Sequence, residues 1–264
     1  MTIIQAIIIA IIEGLTEFLP ISSTAHMRFA NPFLGLESSP FVNMFEVVIQ
    51  FAAILSIVVI FYKKFFDFKR TTFYLKLIIA VIPALIVGAI LKDYIDAALD
   101  NLIFISSIMI GGGILLLFID KLFKTNNISD EKEISLPKAF VIGCFQCFAI
   151  LLPGLSRSAA TIVGGMQQKL TRTLAAEFSF FLAVPTMFAA SVKSFWDVYK
   201  DHPDTLVSSN LSVLAIGAVV SFIVALIAVK SFISYLQKHG FKVFGIYRII
   251  LGITILVLTL KGVL

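Results

Sequence analysis

Glu13 and Glu17 stand four residues apart in the apolar stretch MTIIQAIIIAIIEGLTEFLP, so on a helix both carboxylates project from one face. An acidic residue inside a membrane helix costs about 2.5–3.5 kcal/mol on insertion scales, and ionisable groups there mark functional sites. Two like charges about 6 Å apart repel, so either one carboxyl is protonated or a cation lies between them. A hard divalent ion, Mg²⁺ or Ca²⁺, accepts such oxygens and keeps phosphate as a co-ligand. Glu13 and Glu17 are therefore candidate metal ligands, the competing reading being an acidic pair at a wet interface. Pro20-Ile21-Ser22-Ser23-Thr24-Ala25-His26 follows directly. Hydroxyls beside a proline could simply cap a helix, but Ser23 and His26 at i and i+3 have the spacing of a nucleophile and its base.

The second polar motif is Pro153-Gly154-Leu155-Ser156-Arg157-Ser158-Ala159-Ala160-Thr161. Arg157 offers a rigid fork of donors suited to phosphate, and the free amides of a helix start favour anions. Together they describe an oxyanion cradle; the alternative is an arginine snorkelling to the interface. An anion site opposite a cation site suggests a phosphorylated ligand, and the apolar surroundings suggest a lipid. Glu46, Gln50 and Glu177 also fall in or near apolar runs, where either acid would line the cavity or pair with Arg157.

The elements that must position these groups are membrane spans. The 264 residues are 59% hydrophobic and 14% charged, with a mean hydropathy of +1.02, far from the roughly 45–50% apolar and 25% charged usage of soluble domains. A soluble fold is excluded. Runs near the ~20 residues needed to cross a bilayer core occupy Phe41–Tyr62, Tyr74–Leu91, Leu102–Ile119, Leu174–Phe195, Leu211–Val229 and Phe241–Leu260. The chain reads as one membrane domain, 1–264. Its N-terminal run has no basic flank and no small-residue cleavage site, so it reads as mature protein rather than a signal peptide. The net charge of +5 marks membrane topology rather than nucleic acid. Cys144 and Cys147 lie in an apolar run with no second pair, which favours packing over redox or metal chemistry.

Basic residues cluster around 63–76, 121–138 and 230–242, which the positive-inside rule makes cytoplasmic. The acidic connections Lys92–Asp100 and Asp197–Asp204 are then external. Parity leaves two segments that cannot simply cross, residues 1–40 and 137–170. Each is interrupted by proline, serine and charge, as suits a re-entrant broken helix, one entering from each face. An offset of 133 pairs Pro20 with Pro153, Glu13 with Gln146 and Ser23 with Ser156. The expected fold is all-α, polytopic, with six full transmembrane helices plus two re-entrant hairpins. It forms an inverted-topology repeat with halves 1–120 and 137–264 joined by a connection at 121–136.

The stretch from Glu13 to His26, the run from Pro153 to Thr161, and the segments FEVVIQ from Phe45 and EFSFFLAVP from Glu177 resemble the bacterial undecaprenyl-diphosphate phosphatases, the UppP/BacA family. The resemblance implies hydrolysis of undecaprenyl diphosphate in cell-wall lipid recycling, tolerance to bacitracin and dependence on a divalent metal. It also implies residence in the bacterial cytoplasmic (inner) membrane, with the active site open to the outer face. On matching positions Glu13 and Glu17 would be the acidic metal or catalytic pair, and Ser23 and His26 the nucleophile and base. Arg157 would be catalytic, binding diphosphate with Ser156, Ser158 and Thr161; Ser22, Thr24 and Gly154 are further substrate-binding candidates. Ala25 and Ala159 stand where the family commonly has Gly, which would strain the loop if either backbone needs a positive φ. The rival class is a lipid or ion transporter, since broken helices in inverted repeats also build transporters. Serine versus water as the attacking group, and a homodimer versus a monomer, are left open.

Overall fold

Each apolar run becomes a helix because a bilayer offers no partner for free backbone N–H and C=O groups. The computed structural model describes residues 1–264, apart from the side chain of Gln237. Among the described residues there are twelve α-helices: α1 Ile3–Thr16, α2 Ser23–Phe33, α3 Pro40–Ile60, α4 Tyr62–Phe65, α5 Thr71–Ile90, α6 Lys92–Leu99, α7 Leu102–Leu122, α8 Leu136–Leu151, α9 Arg157–Gln167, α10 Arg172–Asp201, α11 Ser208–Lys238 and α12 Lys242–Leu260. Six of them, α3, α5, α7, α10, α11 and α12, are long and apolar enough to cross a membrane. Their starts follow ordinary capping chemistry: Ser39 accepts from the Val42 amide ahead of Pro40, Asn101 from Phe104 and Thr171 from Leu174.

The structure departs from the sequence expectation mainly at the polar connections. Both acidic connections are helical in part: Lys92–Leu99 forms α6, and α10 runs on to Asp201. Helix propagation needs no apolar face once started, so α10 continues until His202, whose successor Pro203 disfavours a helical conformation. Likewise α11 reaches Lys238 through the basic residues expected to lie in a loop.

The two expected re-entrant segments are α1–α2 and α8–α9, each a pair of short helices separated by a break. Helix α1 packs on α11 and α8 packs on α5, so each lies against a span from the other half of the chain. The approach is close in both cases. A Cβ on Gly14 would meet the Ser221 carbonyl at 2.7 Å, and one on Gly143 would collide with the backbone of Ala80; glycine is required for that contact. α7 packs on α12 and α3 on α10, completing a set of contacts that is unchanged when the halves are exchanged. The core is aromatic: Phe18, at the first break, meets Phe180 edge-on at 5.2 Å, and toward the basic connection at 63–76 Phe181 is ringed by Phe61, Phe65 and Phe73. Cys144 and Cys147 are half-buried free thiols.

Candidate active site at the two helix breaks

The two breaks are built alike. After α1, Ser22 takes φ 70 and its Oγ accepts the Ala25 amide at 3.3 Å. After α8, Ser156 takes φ 78 and its Oγ accepts the Ala159 amide at 3.3 Å. Each serine caps an eleven-residue helix, α2 or α9. The equivalence is Ser22 with Ser156, an offset of 134, because the second break has one more residue between its proline and its cap. The pairing of Ser23 with Ser156 expected from the prolines is therefore wrong by one; Ser23 corresponds to Arg157. Ala25 and Ala159, equivalent at the same offset, lie in helices with ordinary φ. The expected glycine strain falls instead on the two capping serines.

Across the breaks the side chains interlock. Ser23 Oγ donates to Glu17 Oε2 at 2.5 Å, and Arg157 Nη2 donates to Glu17 Oε1 at 2.9 Å. One carboxylate thus bridges the hydroxyl of one break and the guanidinium of the other. Arg157 Nη1 donates to the Ser179 carbonyl at 3.2 Å, while its Nε is buried without a partner. Glu13, fully buried, stands against Glu17 and Ser23, and both its oxygens lack a hydrogen-bond donor.

Several expected roles change. His26 does not reach Ser23: its Nδ1 lies 2.7 Å from the Ser22 carbonyl and its Nε2 2.8 Å from the Tyr247 hydroxyl, with the two rings stacked. A carbonyl can only accept, so Nδ1 carries a proton and the neutral ring's Nε2 accepts from Tyr247. Ser23 turns toward α1 and His26 toward α12, so the hydroxyl finds a carboxylate rather than an imidazole. Ser158 Oγ donates to the Leu19 carbonyl at 2.9 Å, tying one break to the other. Thr161 Oγ1 donates within its own helix and lies 2.6 Å from Ser179 Oγ. Both hydroxyls are buried and serve the fold rather than standing free for a ligand. Gly154 turns with φ +99, and Thr24 is half-buried with no side-chain hydrogen bond among the described residues. Neither outlying acid meets Arg157. Glu46 takes Arg28 at 3.3 Å and Asn31 at 2.8 Å, and Glu177 takes Lys64 at 3.0 Å.

The sequence of the chain matches, over residues 6–254, the family described as "Bacitracin resistance protein BacA". The chain belongs to the BacA family. A protein of Porphyromonas gingivalis is 50% identical over 279 residues, covering 100% of this chain and 99% of that protein. One of Flavobacterium psychrophilum is 52% identical, covering 98% and 96%, and one of Bdellovibrio bacteriovorus is 41% identical, covering 99% and 98%. All three carry the name "Undecaprenyl-diphosphatase".

Within this BacA chain one residue central to the site escaped the motifs. Arg248, fully buried on α12, donates to the carbonyls of Met109 (3.2 Å), Pro20 (3.1 Å), Leu155 (2.7 Å) and Gly154 (2.8 Å). It clasps both breaks at once by satisfying carbonyls that a helix break leaves free. The available signal was an arginine in the middle of the last apolar run, where a charge is costly enough to require a reason. Tyr247, beside it, gave no comparable signal.

A divalent cation fits part of this arrangement. Glu13 presents two buried oxygens with no donor, next to a second carboxylate, whereas Glu17 is already engaged by Ser23 and Arg157. No group of three His, Cys, Asp or Glu suited to a metal occurs among the described residues. The protein would supply carboxylate oxygens only and leave the rest of the shell to water and phosphate, which is the habit of Mg²⁺.

Proposed function

We propose that this chain is a membrane phosphatase that hydrolyses undecaprenyl diphosphate to undecaprenyl phosphate and inorganic phosphate, recycling the lipid carrier and conferring tolerance to bacitracin. The observation that carries the reading is the Glu17 carboxylate held between Ser23 Oγ and Arg157 at the junction of the two breaks. The relatives named "Undecaprenyl-diphosphatase" over their full length support the same conclusion.

In the proposed reaction Ser23 Oγ attacks the terminal phosphorus, and its proton passes to Glu17 Oε2. The bond from that phosphorus to the bridging oxygen breaks, and undecaprenyl phosphate leaves, taking the proton from Glu17. A water then attacks the phosphoserine, giving a proton to Glu17, which returns it to Ser23 Oγ as inorganic phosphate departs. Arg157 supplies fixed positive charge to the oxygens on which charge develops, the usual work of the protein in phosphoryl transfer. His26, held by Tyr247 and the Ser22 carbonyl, steadies the first turn of α2. Glu13, whose two oxygens are free of donors, would hold a divalent metal beside Glu17, and that ion would neutralise charge on the diphosphate.

The site is taken to open to the outer face of the bacterial inner membrane, as the family resemblance implies. Phosphate release by the purified protein tests the reading: Glu17→Gln and Arg157→Ala should both abolish it. Movement of lipid between leaflets without phosphate release would instead favour the transporter. Acid quenching during turnover separates the two routes of attack. Trapped phosphate on Ser23 supports the covalent route, and phosphate release largely retained by Ser23→Ala would overturn it.

A further inference from the structure

The face carrying the Lys- and Arg-rich connections holds a cavity of about 360 Å³ that shares no lining residue with the breaks. Its lining is divided. Lys69, Arg70, Lys76 and Lys132 supply cationic groups, Phe178 and Phe181 supply an apolar wall, and Glu131 is the one carboxylate. That carboxylate is already matched, by Arg70 and by Lys64 at 3.8 Å. Two nearby acids take backbone amides, Asp130 from Lys132 N at 2.9 Å and Asp67 from Lys69 N at 3.3 Å; Asp130 also offsets part of the Lys76 charge without pairing with it, and Glu133 is exposed.

Lys76 gives the cavity its character. It is only 5% exposed, and its ammonium donates to the backbone carbonyls of Glu131 (2.6 Å) and Lys132 (3.4 Å). Among the described residues it has no carboxylate partner, and neither do Lys69 and Lys132. A buried ammonium without an anion is expensive. The first turn of α5 adds donors at the same place, since Arg70 at its N-cap makes no side-chain capping bond and Thr71 and Thr72 line the cavity. Uncapped amides, a buried lysine held by backbone carbonyls rather than by a paired carboxylate, and two exposed lysines converge on a space walled on one side by phenylalanine.

We propose that this cavity is a second anion site, built for a phosphate group, with its apolar wall suited to the stem of a phosphate-bearing lipid. The same chemistry would also take free inorganic phosphate. The proposal does not depend on the reaction assigned to the breaks.

The full-length protein distinguishes the sources. In discs of phosphatidylcholine with a small fraction of phosphatidylglycerol, native mass spectrometry reads retention of the anionic lipid. In pure phosphatidylcholine discs, calorimetry reads inorganic phosphate. Saturable binding is expected in at least one arm. It should weaken at least tenfold in the double variant Lys69→Gln, Lys132→Gln and persist in Lys69→Arg, Lys132→Arg. Both lysines are exposed, so folding should survive, and phosphate release from the diphosphate lipid should be unchanged. Binding in the lipid arm identifies a headgroup, and binding in the calorimetric arm alone identifies the free ion. Absence of saturable binding in both arms, or binding that the glutamine variant retains in full, overturns the proposal.

Discussion

At the first break Ser22 turns the chain with φ 70 and caps α2; at the second Ser156 turns it with φ 78 and caps α9. Both breaks give carbonyls to Arg248, and each preceding helix seats a glycine on a span of the other half. The side chains then diverge. Where the first break has Ser23, the second has Arg157; where α1 carries Glu13 and ends on Glu17, α8 carries Gln146, bonded to Thr186 at 3.2 Å. Identical backbone devices thus bring an acid with a hydroxyl against a guanidinium. The difference teaches that geometry and the proposed chemistry are set by largely separate residues: the capping serines and the clasp build the junction, and the side chains of Glu17, Ser23 and Arg157 would act in it.

The chemical half of that comparison is most exposed at Glu17, which touches both breaks. Glu17→Gln removes the proton acceptor of Ser23 and the charge that holds Arg157. Turnover should fall about 10³–10⁴-fold, the upper range for a general base, with a smaller change in KM. A steady-state assay of phosphate release checks this, and a loss below tenfold would separate the two breaks functionally.

The structural half rests on Arg248. Arg248→Met leaves four carbonyls without their donor in a buried setting, at about 1–3 kcal/mol for each group that stays unsatisfied. Partial relaxation should hold the total near ~4 kcal/mol, read as a lower thermal midpoint. Hydrogen exchange should rise at residues 17–22 and 152–156 together. Exchange rising at one break alone would mean that the clasp is not shared.

Tyr247 offers a milder test, because it touches only the first break. Tyr247→Phe removes the hydroxyl that meets His26 Nε2, a hydrogen bond worth about 0.5–1.5 kcal/mol. A turnover decrease of about 2- to 10-fold is expected, with binding of inorganic phosphate at Arg157 unaffected. If His26 were the base of Ser23, its loss in His26→Ala would instead match Glu17→Gln.

Much of this was legible in the sequence. The six spans, the two interrupted segments and the residues of both motifs follow from hydropathy, topology parity and the cost of charge in an apolar run. What was not legible depended on direction. Ser23 and His26 have the spacing of a pair, but rotamers aim one at α1 and the other at α12. Ser158 and Thr161 look like free hydroxyls in sequence, yet buried hydroxyls seek the nearest acceptor, here Leu19 and the helix itself. Arg248 carries no motif, because its partners are carbonyls, which every residue has.

The smallest expected effect concerns the two positions at which the family resemblance implies glycine. Ala25 and Ala159 are equivalent, buried, and helical with ordinary φ. Glycine at either position therefore relieves no strain; it adds backbone freedom to the unfolded chain and removes a buried methyl. Ala25→Gly and Ala159→Gly should each lower stability by about 1 kcal/mol, by equal amounts within error, and leave turnover unchanged. Thermal denaturation of the two variants beside the parent measures the first, and phosphate release the second. Unequal losses would show that the two caps are not mechanically alike. A gain in turnover at either position would mean that the backbone after the capping serine must move during the reaction, so that the shared geometry of the breaks is itself part of the chemistry.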